Sequence, residues 1–382
     1  MSPTSNLHRK LAACETPGLI LCEARMQRNI ARLRDHLAPF DVTLRPHIKT
    51  AKSVDVARQQ LTGGNGPVTV STLKEAETLF ASGVTDVLYA VGIAPHRLDR
   101  VQALRAAGCD LSVTLDSIEQ ARAVVAASSA GAIPVLLEID CDGHRSGLKP
   151  DSEDIVAIAR LLHEGRATLR GVMTHAGESY NVHGEAALVA FAERERAAVV
   201  EAAERIRAAG LPCPVVSVGS TPTAHFARNL DGVTEVRAGV YIFFDLVMAG
   251  IGVCTLDDLA LSVLTNVIGH QPDKGWIICD AGWMALSRDR GTAGQPVDQG
   301  YGVVCDVDGR PYPDLIVASA NQEHGIITVR PGSDATLPEL PVGTLLRILP
   351  NHACATAAQF DAYTVIRADD DQVATWPRFR GW

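Results

Sequence analysis

The sequence predicts an α/β protein in which a (β/α)8 barrel is followed by a β-rich domain. From residue 42 onward, short β-branched runs alternate with stretches of helical period, the pattern of repeated βα units. After about residue 250 the chain changes to strand-like runs separated by Gly, Pro and Asp turns. The length of 382 residues exceeds one typical domain. We therefore predict a barrel at 25–250 and a β domain at 251–382 that also includes 1–24.

Eight strand candidates support the barrel. In chain order they are VTLRP (42–46), PVTVS (67–71), DVLYA (86–90), DLSVTL (110–115), IPVLLEID (133–140), LRGVMTH (169–175), PVVSVG (214–219) and TEVRAGVYIF (234–243). Eight βα units over roughly 200 residues close naturally into a barrel. An open doubly wound sheet is the alternative, but no GxGxxG motif follows any of these runs.

The second domain is predicted from a different sequence pattern. Its strand candidates are LALSVLTNVIGH, GWIICDAG, YGVVCDV, HGIITV and TLLRILPNHAC, which show little helical periodicity. The early segment GLILCEARM (18–26) is also strand-like and precedes the first barrel unit. We expect this segment to join the C-terminal sheet.

Composition limits the class of function. The net charge is −9 with no basic block, which argues against a nucleic-acid partner. The N-terminus lacks an apolar signal region and no run of about 18 apolar residues occurs, so neither secretion nor membrane insertion is predicted. Nine cysteines without CxxC pairs suit a reducing compartment. We expect a cytoplasmic protein that acts on a small molecule.

Polar residues cluster at the predicted carboxyl ends of the barrel strands, where barrels of this type place their active sites. The candidates are Lys49, Arg145, His175, Tyr180, Gly219, Ser220, Thr221, Arg237, Gly239 and Tyr241.

The loop VGSTPT after the seventh strand is the clearest of these pieces. A glycine, two hydroxyls and a proline stand where a helix would begin, so backbone N–H groups and the hydroxyls of Ser220 and Thr221 can converge on an anion. Barrels often bind phosphate after strands seven and eight. Taken alone, the loop is better explained as an ordinary Ser/Thr helix cap.

Lys49 follows the first strand, in LRPHIKTAKS. A lysine at a barrel mouth that also holds a phosphate site suggests a Schiff base to pyridoxal phosphate. The alternative for an isolated lysine is an ordinary surface position.

A second constellation is LPNHACATAAQFD, in the β-rich part. On a strand, His352 and Cys354 would project from the same face and could offer an imidazole and a thiolate to one metal ion. The thiolate favours zinc over magnesium or calcium. The alternative is a buried pair without a metal. Asn351 and the Glu323-His324 pair are candidates for supporting such a site through hydrogen bonds or water.

Eight motifs carry a family resemblance: RPHIKTAKS, HAGESY, VGSTPT, EVRAGVYIFFD, DAGW, EHG, PNHAC and the terminal WPRFRGW. With them the chain, from about residue 16 to its end, resembles the D-serine dehydratases and D-threonine aldolases. These are fold-type III pyridoxal-phosphate enzymes related to alanine racemase. The resemblance implies an alanine racemase-like barrel that holds the cofactor, a C-terminal β domain that holds a divalent metal, and pairing of two subunits as a homodimer.

The resemblance also implies roles for individual residues. Lys49 would form the Schiff base, and His352 with Cys354 would bind the metal. Arg145 is similar to the arginine near the phenolic oxygen of the cofactor, and Arg237 to the one against its pyridine nitrogen. The remaining cofactor contacts implied by the resemblance are Tyr180, Gly219, Ser220, Thr221, Gly239, Val240 and Tyr241.

The activity that the resemblance implies is dehydration. The aldolases resemble His-x-Asp at the metal motif, whereas the dehydratase branch resembles His-x-Cys, as here. We therefore expect a lyase that converts a 3-hydroxy D-amino acid, such as D-serine or D-threo-3-hydroxyaspartate, to a 2-oxo acid and ammonia. Zinc is the expected metal, with manganese, cobalt and magnesium as alternatives. His144, Arg145 and His175 are candidates for binding a second substrate carboxylate.

Three other activities are alternatives to dehydration. The first alternative is a retro-aldol lyase that gives glycine and an aldehyde. A racemase is disfavoured because the position similar to the racemase tyrosine base reads Asp280-Ala281-Gly282-Trp283. A non-catalytic pyridoxal-phosphate carrier is a minor alternative, since such carriers lack the C-terminal β domain.

Overall fold

The computed structural model describes residues 6–368 and 372–382. The described chain forms two compact units: the barrel unit, residues 31–239 with 379–382, and the β unit, the described residues of 6–30 and 240–378. The predicted bounds of the two domains stay a prediction, and residues 1–5 and 369–371 of the predicted β domain lie outside the described residues. In the part of the chain that the structure describes, no helix has the length and apolar character needed to cross a membrane.

The strands of the described chain are β1 Gly18–Cys22, β2 Thr43–Pro46, β3 Val68–Val70, β4 Asp86–Gly92, β5 Asp110–Leu115, β6 Pro134–Ile139, β7 Thr168–Thr174, β8 Val215–Val218, β9 Glu235–Ala238, β10 Leu261–Gln271, β11 Trp276–Cys279, β12 Gly302–Cys305, β13 Pro311–Ala320, β14 Gly325–Val329, β15 Leu345–Pro350, β16 Ala362–Ile366 and β17 Val373–Pro377. Its α-helices are α1 Asn6–Ala12, α2 Glu23–Leu37, α3 Val54–Gln60, α4 Leu73–Ala81, α5 Leu98–Ala106, α6 Ile118–Ala127, α7 Asp154–Glu164, α8 Glu185–Ala208, α9 Thr221–Phe226, α10 Leu246–Gly250, α11 Trp283–Leu286 and α12 Ala353–Ala357.

The barrel unit contains the predicted parallel sheet. Its strands follow the order β2-β9-β8-β7-β6-β5-β4-β3, and a parallel bridge between His47 and Thr69 joins the ends of β2 and β3. The prediction of an eight-stranded parallel barrel is confirmed. The eighth predicted strand is shorter than expected, because its partner β2 ends at Pro46, which pairs with Ala238. The chain then forms a single 3-10 turn at Val240–Ile242.

The β unit is built on one nine-stranded sheet with the order β11-β14-β13-β12-β15-β10-β1-β16-β17. β1 lies antiparallel to β10 and parallel to β16, which confirms that the early segment joins the C-terminal sheet. Only 18–22 of that segment is a strand, because Glu23 begins α2. The core strand β10 is buried from Leu261 to Thr265, which explains its run of apolar residues.

The pairing of β7 with β8 depends on Gly171. Its φ is +149°, and a Cβ at this position would overlap the carbonyl oxygen of Val215 on β8. We expect Gly171→Ala to lower the free energy of unfolding by about 2 kcal/mol or more, because the strands must separate or strain. Urea unfolding followed by circular dichroism measures this loss.

Gly92→Ala is the matched control in the same sheet, since its Cβ would meet only the side-chain nitrogen of Gln120, at 3.2 Å, and no backbone atom. It should cost less than about 1 kcal/mol. Equal losses in the two variants would contradict the role assigned to Gly171.

Candidate active site

Lys49 lies just past the end of β2, in the segment that follows the His47–Thr69 bridge. Its side chain is half-buried. Lys49 lies close enough to two imidazoles to affect their ionisation. The pKa values of His47 and His175 are both held well below the usual range, first by burial and then by the positive charge of Lys49. The barrel therefore brings the candidate lysine close to the ends of β2 and β7, as the sequence predicts.

His175 has a defined tautomer. Its Nδ1 lies 2.6 Å from the carbonyl oxygen of Gly219, and because a carbonyl only accepts, Nδ1 carries the proton. The lowered pKa keeps the ring neutral near pH 7, with Nε2 as a proton acceptor. His175 is thus uncharged and does not supply the positive charge considered for a second carboxylate. Its ring lies 6.3 Å from that of Tyr180, between centroids.

The hydroxyls of Ser220 and Thr221, in the loop after β8, have different surroundings. Ser220 is the N-cap of α9: its Oγ accepts the N–H of Thr223, and the Thr223 hydroxyl in turn accepts the N–H of Ser220. The helix-cap explanation is therefore correct for Ser220. The N–H of Gly219 is also occupied, since it donates to Glu195 at 2.9 Å. Whether Gly219 and Ser220 contact the cofactor stays a prediction.

Thr221 is the residue of this loop that fits a phosphate. Its hydroxyl is buried and has no hydrogen-bond partner among the described residues. Its N–H occupies the first helical position, where no intrahelical acceptor exists. An unsatisfied buried hydroxyl is costly, and a phosphate oxygen would satisfy it. The chemistry of the barrel end, with an amine at Lys49 and these donors, fits pyridoxal phosphate.

The two candidate arginines are held differently. Arg145 lies on the loop after β6 with half of its side chain exposed, and its Nη2 is 3.8 Å from Glu138 Oε1. Arg237 is buried in β9 and donates from Nη1 to Ser217 Oγ at 2.5 Å and from Nη2 to the carbonyl of Thr174. Arg145 is thus the more mobile cation and Arg237 a fixed one.

The segment after β9 is closely packed. A Cβ at Gly239 would lie 3.2 Å from Thr50 Oγ1 and 3.3 Å from the backbone of His47, so a side chain there would press on the Lys49 segment. Val240 and Tyr241 are buried in the following 3-10 turn. Their contacts with a cofactor stay a prediction.

In the β unit, His352 and Cys354 are brought together, but not on a strand. β15 ends at Pro350, His352 is the N-cap of α12, and Cys354 lies in the first turn of that helix. The same-face argument from strand geometry is therefore wrong. The helix starts here because the buried carboxylate of Asp245 accepts the N–H of Ala353 at 2.9 Å. The first turn still places Cys354 in hydrogen-bond contact with the His352 ring.

The surroundings of His352 suit a metal ion. Its Nδ1 is 2.6 Å from Asp289 Oδ2, which leaves Nε2 available as a ligand, the arrangement common for metal-binding histidines. Burial lowers the pKa of His352, but the negative charge of Cys354 and the bond to Asp289 outweigh burial and raise it to about 11. Such a strongly negative environment favours a cation. Within residues 6–368 and 372–382, no three His, Cys, Asp or Glu side chains form a complete metal cage, so the pair would make an open site.

The residues expected to support the metal have other tasks. The amide of Asn351 is buried and fully engaged: it accepts from the N–H of Thr292 and donates to Thr292 Oγ1 and to the carbonyl of Gly300. It fixes the loop that precedes β12. Glu323 and His324 are exposed in the turn between β13 and β14. Asp289, which the sequence analysis did not single out, makes the hydrogen bond to His352 instead.

Glu195 is a second functional residue that sequence reasoning missed. It lies on α8 with 2% exposure, and its Oε1 accepts the N–H groups of Ala176 at 3.2 Å and Gly219 at 2.9 Å. One carboxylate therefore ties the loop after β7 to the loop after β8. A signal was present: Glu195 interrupts the apolar stripe of α8 between Phe191 and Val199, a spacing of four residues on each side.

Burial raises the pKa of Glu195 above its ordinary value of 4.5. Between pH 4.5 and the raised pKa of the folded state, the folded protein holds more protons at this site than the unfolded chain. The contribution of Glu195 to stability therefore falls as pH rises. We expect the unfolding free energy of Glu195→Gln to fall less steeply than that of the wild type as pH rises above 4.5, by up to about 1.4 kcal/mol per pH unit. Urea denaturation at several pH values measures this.

Glu193→Gln, on the same helix, is the control. The hydrogen bond from Arg196 lowers the pKa of Glu193, so its contribution is lost only as pH falls below its ordinary value of 4.5. This variant should keep the wild-type slope above pH 4.5. Identical slopes in all three proteins would contradict the account of Glu195.

Family models match both parts of the chain. Residues 21–247 match the model described as alanine racemase, N-terminal domain. Residues 260–366 match the model described as putative serine dehydratase domain. The first match covers more than half of the chain, and the two together follow the order of the barrel and the C-terminal sheet.

Relatives agree with these models. A D-threo-3-hydroxyaspartate dehydratase from Delftia sp. is 57% identical over 97% of this chain and 99% of its own. Its structure superposes with a TM-score of 0.94, over 97% of this chain and 99% of that one. A D-serine dehydratase from Dictyostelium discoideum is 28% identical, covering 96% of this chain and 97% of its own. The structure of a D-threonine aldolase from Filomicrobium marinum is 26% identical with a TM-score of 0.80, over 96% of both chains.

The sequence motifs, the barrel with its lysine and phosphate-type loop, and these matches agree. The chain therefore belongs to the D-serine dehydratase and D-threonine aldolase family of pyridoxal-phosphate enzymes with the alanine racemase fold, and within it to the metal-dependent dehydratase branch.

Proposed function

We propose that this protein dehydrates D-threo-3-hydroxyaspartate, using pyridoxal phosphate and zinc, to a 2-oxo acid and ammonia. The observation that carries the proposal is the His352–Cys354 pair in hydrogen-bond contact, backed by Asp289. It is supported by the identity of 57% to the Delftia D-threo-3-hydroxyaspartate dehydratase, compared with 26% to the aldolase structure. D-Serine carries the same reactive atoms and is the second substrate to test.

Lys49 would hold the cofactor and take the proton from the substrate α-carbon. Pyridoxal phosphate, when bound, supplies an electron sink for the charge that develops at that carbon. The two imidazoles beside it are uncharged near pH 7, because burial and the positive charge of Lys49 lower their pKa values, so they add no positive charge beside the amine. Thr221 would hold the phosphate through its hydroxyl and N–H.

His352 and Cys354 would hold the metal, whose contribution is Lewis-acid activation of a hydroxyl leaving group. One solved structure of a D-threo-3-hydroxyaspartate dehydratase is a histidine-to-alanine mutant, and another is a cysteine-to-alanine mutant in the metal-free form. The two substituted residues are two positions apart in that chain, the spacing of His352 and Cys354 here. A thiolate with an imidazole favours zinc over harder cations.

Arg145 is the residue proposed to select a substrate with a second carboxylate. Half of its side chain is exposed, so it can move to a ligand, and its positive charge lowers the pKa of both His47 and His175. The pKa of its partner Glu138 is raised by burial, which weakens the competing ion pair. The role at the cofactor's phenolic oxygen and a role at the substrate are both compatible with this position.

The substrate assay tests the function directly. Purified enzyme with added pyridoxal phosphate and zinc is incubated with D-threo-3-hydroxyaspartate, D-serine or D-threonine, and 2-oxo acid, ammonia and glycine are quantified. We expect 2-oxo acid and ammonia in equal amounts, with D-threo-3-hydroxyaspartate giving the highest kcat/KM. Glycine as the dominant product would show that the enzyme is an aldolase.

Lys49→Ala should remove the visible absorbance of the bound cofactor near neutral pH and lower kcat by at least about 1,000-fold, since both cofactor attachment and the proton acceptor are lost. Lys52→Ala is the control, because Lys52 lies three residues away and pairs with Glu75 at 3.1 Å. A borohydride-reducible adduct that persists in Lys49→Ala would show that another lysine holds the cofactor.

Removal of the metal should abolish turnover while the cofactor stays bound. Dialysis against a chelator is expected to lower the rate at least about 100-fold with the visible absorbance retained, and one equivalent of zinc should restore it. Asp289→Asn should weaken zinc binding by about 10-fold to 100-fold, because the oriented histidine loses its carboxylate partner. Full activity in chelator would contradict a catalytic metal.

Pairing of two chains stays a prediction from the family resemblance. Light scattering on the purified protein would establish the mass, for which a dimer of the 40.6 kDa chain is expected.

A further inference from the structure

A chain of polar side chains crosses the interior of the barrel and ends at Arg237. Glu235 on β9 accepts from Arg45 Nε at Oε2, 2.5 Å, and from the hydroxyl of Ser217 at Oε1, 2.7 Å. Ser217 Oγ is in turn 2.5 Å from Arg237 Nη1. Glu235, Ser217 and Arg237 are buried, with 5%, 0% and 4% exposure. We call Glu235, Ser217 and Arg237 the Glu235 chain.

The direction of these hydrogen bonds is fixed. An ionised carboxylate only accepts, so the single proton of the Ser217 hydroxyl points to Glu235. The Ser217 oxygen therefore presents a lone pair to Arg237 and accepts its N–H. The second anchor of Arg237 is the carbonyl of Thr174 on β7. The guanidinium is thus fixed by β7 and β8, and Glu235 orients the Ser217 hydroxyl that accepts its bond on β8.

Glu235 also offsets part of the cost of burying the charge of Arg237. Within the described chain, no carboxylate forms an ion pair with Arg237, although its guanidinium is buried. Burial lowers the pKa of Arg237, and the negative charge of Glu235 is the largest effect that opposes burial. Glu235 has a further partner in Arg45, which is itself paired with Asp86 at 2.7 Å. The carboxylate therefore stabilises two buried cations from one position.

We propose that Glu235 and Ser217 are positioning residues that hold Arg237 in its place against the cofactor ring. The inference rests on the proposed function, in which the family resemblance assigns Arg237 to the cofactor's pyridine nitrogen. A guanidinium that moves or tilts would change how strongly that nitrogen is held, so both the affinity for the cofactor and its absorbance depend on the Glu235 chain.

Ser217→Ala is the first test variant, and Ser112→Ala is its matched control. Ser112 is buried on β5 of the same barrel and accepts from Arg170 Nη1 at 2.7 Å, while Arg170 is also held by Asp110. Both variants lose one buried serine–arginine hydrogen bond. Only one of them disturbs Arg237, so the pair separates a loss of barrel stability from a loss of positioning.

Three quantities are measured in both variants: the dissociation constant of pyridoxal phosphate by fluorescence titration of cofactor-free protein, the absorbance maximum of the loaded protein, and kcat/KM. In Ser217→Ala we expect cofactor affinity and kcat/KM each to fall about tenfold, the size of one lost charge-assisted hydrogen bond, and the absorbance maximum to shift. Ser112→Ala should stay within about twofold of wild type with an unshifted maximum, whatever its thermal stability.

Glu235→Gln is the second variant, because it keeps the size of the side chain and removes its charge. It should reproduce the absorbance shift of Ser217→Ala and lower thermal stability further, since Arg45 loses its ion pair as well. If this variant does not fold, the comparison of Ser217→Ala with Ser112→Ala decides alone.

The inference is wrong if Ser217→Ala and Ser112→Ala agree in cofactor affinity, absorbance maximum and kcat/KM. Failure of the proposed function would look different: the wild-type protein itself would bind no pyridoxal phosphate, and both proposals would then be overturned. A wild type that binds the cofactor, with the two serine variants indistinguishable, overturns the positioning role only.

Discussion

The parallel pairing that closes eight strands into a ring is the constraint on which the barrel-end site depends. Parallel strands bring their carboxyl ends to one rim, and the His47–Thr69 bridge joins the first two strands there. Lys49 lies just beyond that bridge, among residues far from it in the chain. Glu195 then ties two loops of the rim through backbone N–H groups. The loops of the rim are therefore largely held in place without a ligand, which reduces the conformational entropy lost when a ligand binds.

Much of the barrel could be predicted because each strand carries its own local signal. The run DLSVTL coincides with β5, Asp110–Leu115, residue for residue. Lys49 and Thr221 could be found in the same way, since both directly follow a predicted strand. The partners of Glu195 could not be predicted, because Gly219 is 24 residues away and meets it only after α8 packs on the sheet. Its local sequence is that of an ordinary helix with one charged residue on the apolar face.

His352 and Cys354 are predicted from the sequence to lie together, but for a wrong reason. Two residues that alternate on a strand share a face, but Pro350 ends β15 before the motif begins. The carboxylate of Asp245, 108 residues earlier in the chain than Ala353, caps the short helix that follows. No local pattern contains that long-range bond. His352 and Cys354 still meet, because a helix start and a strand both allow contact at this spacing.

The unsatisfied hydroxyl of Thr221 has a consequence beyond ligand affinity. Under the proposed function, a cofactor phosphate that satisfies this donor would link occupancy to folding, since the empty protein would bear a desolvation penalty that the loaded protein does not. Loaded chains would resist proteolysis longer than empty ones.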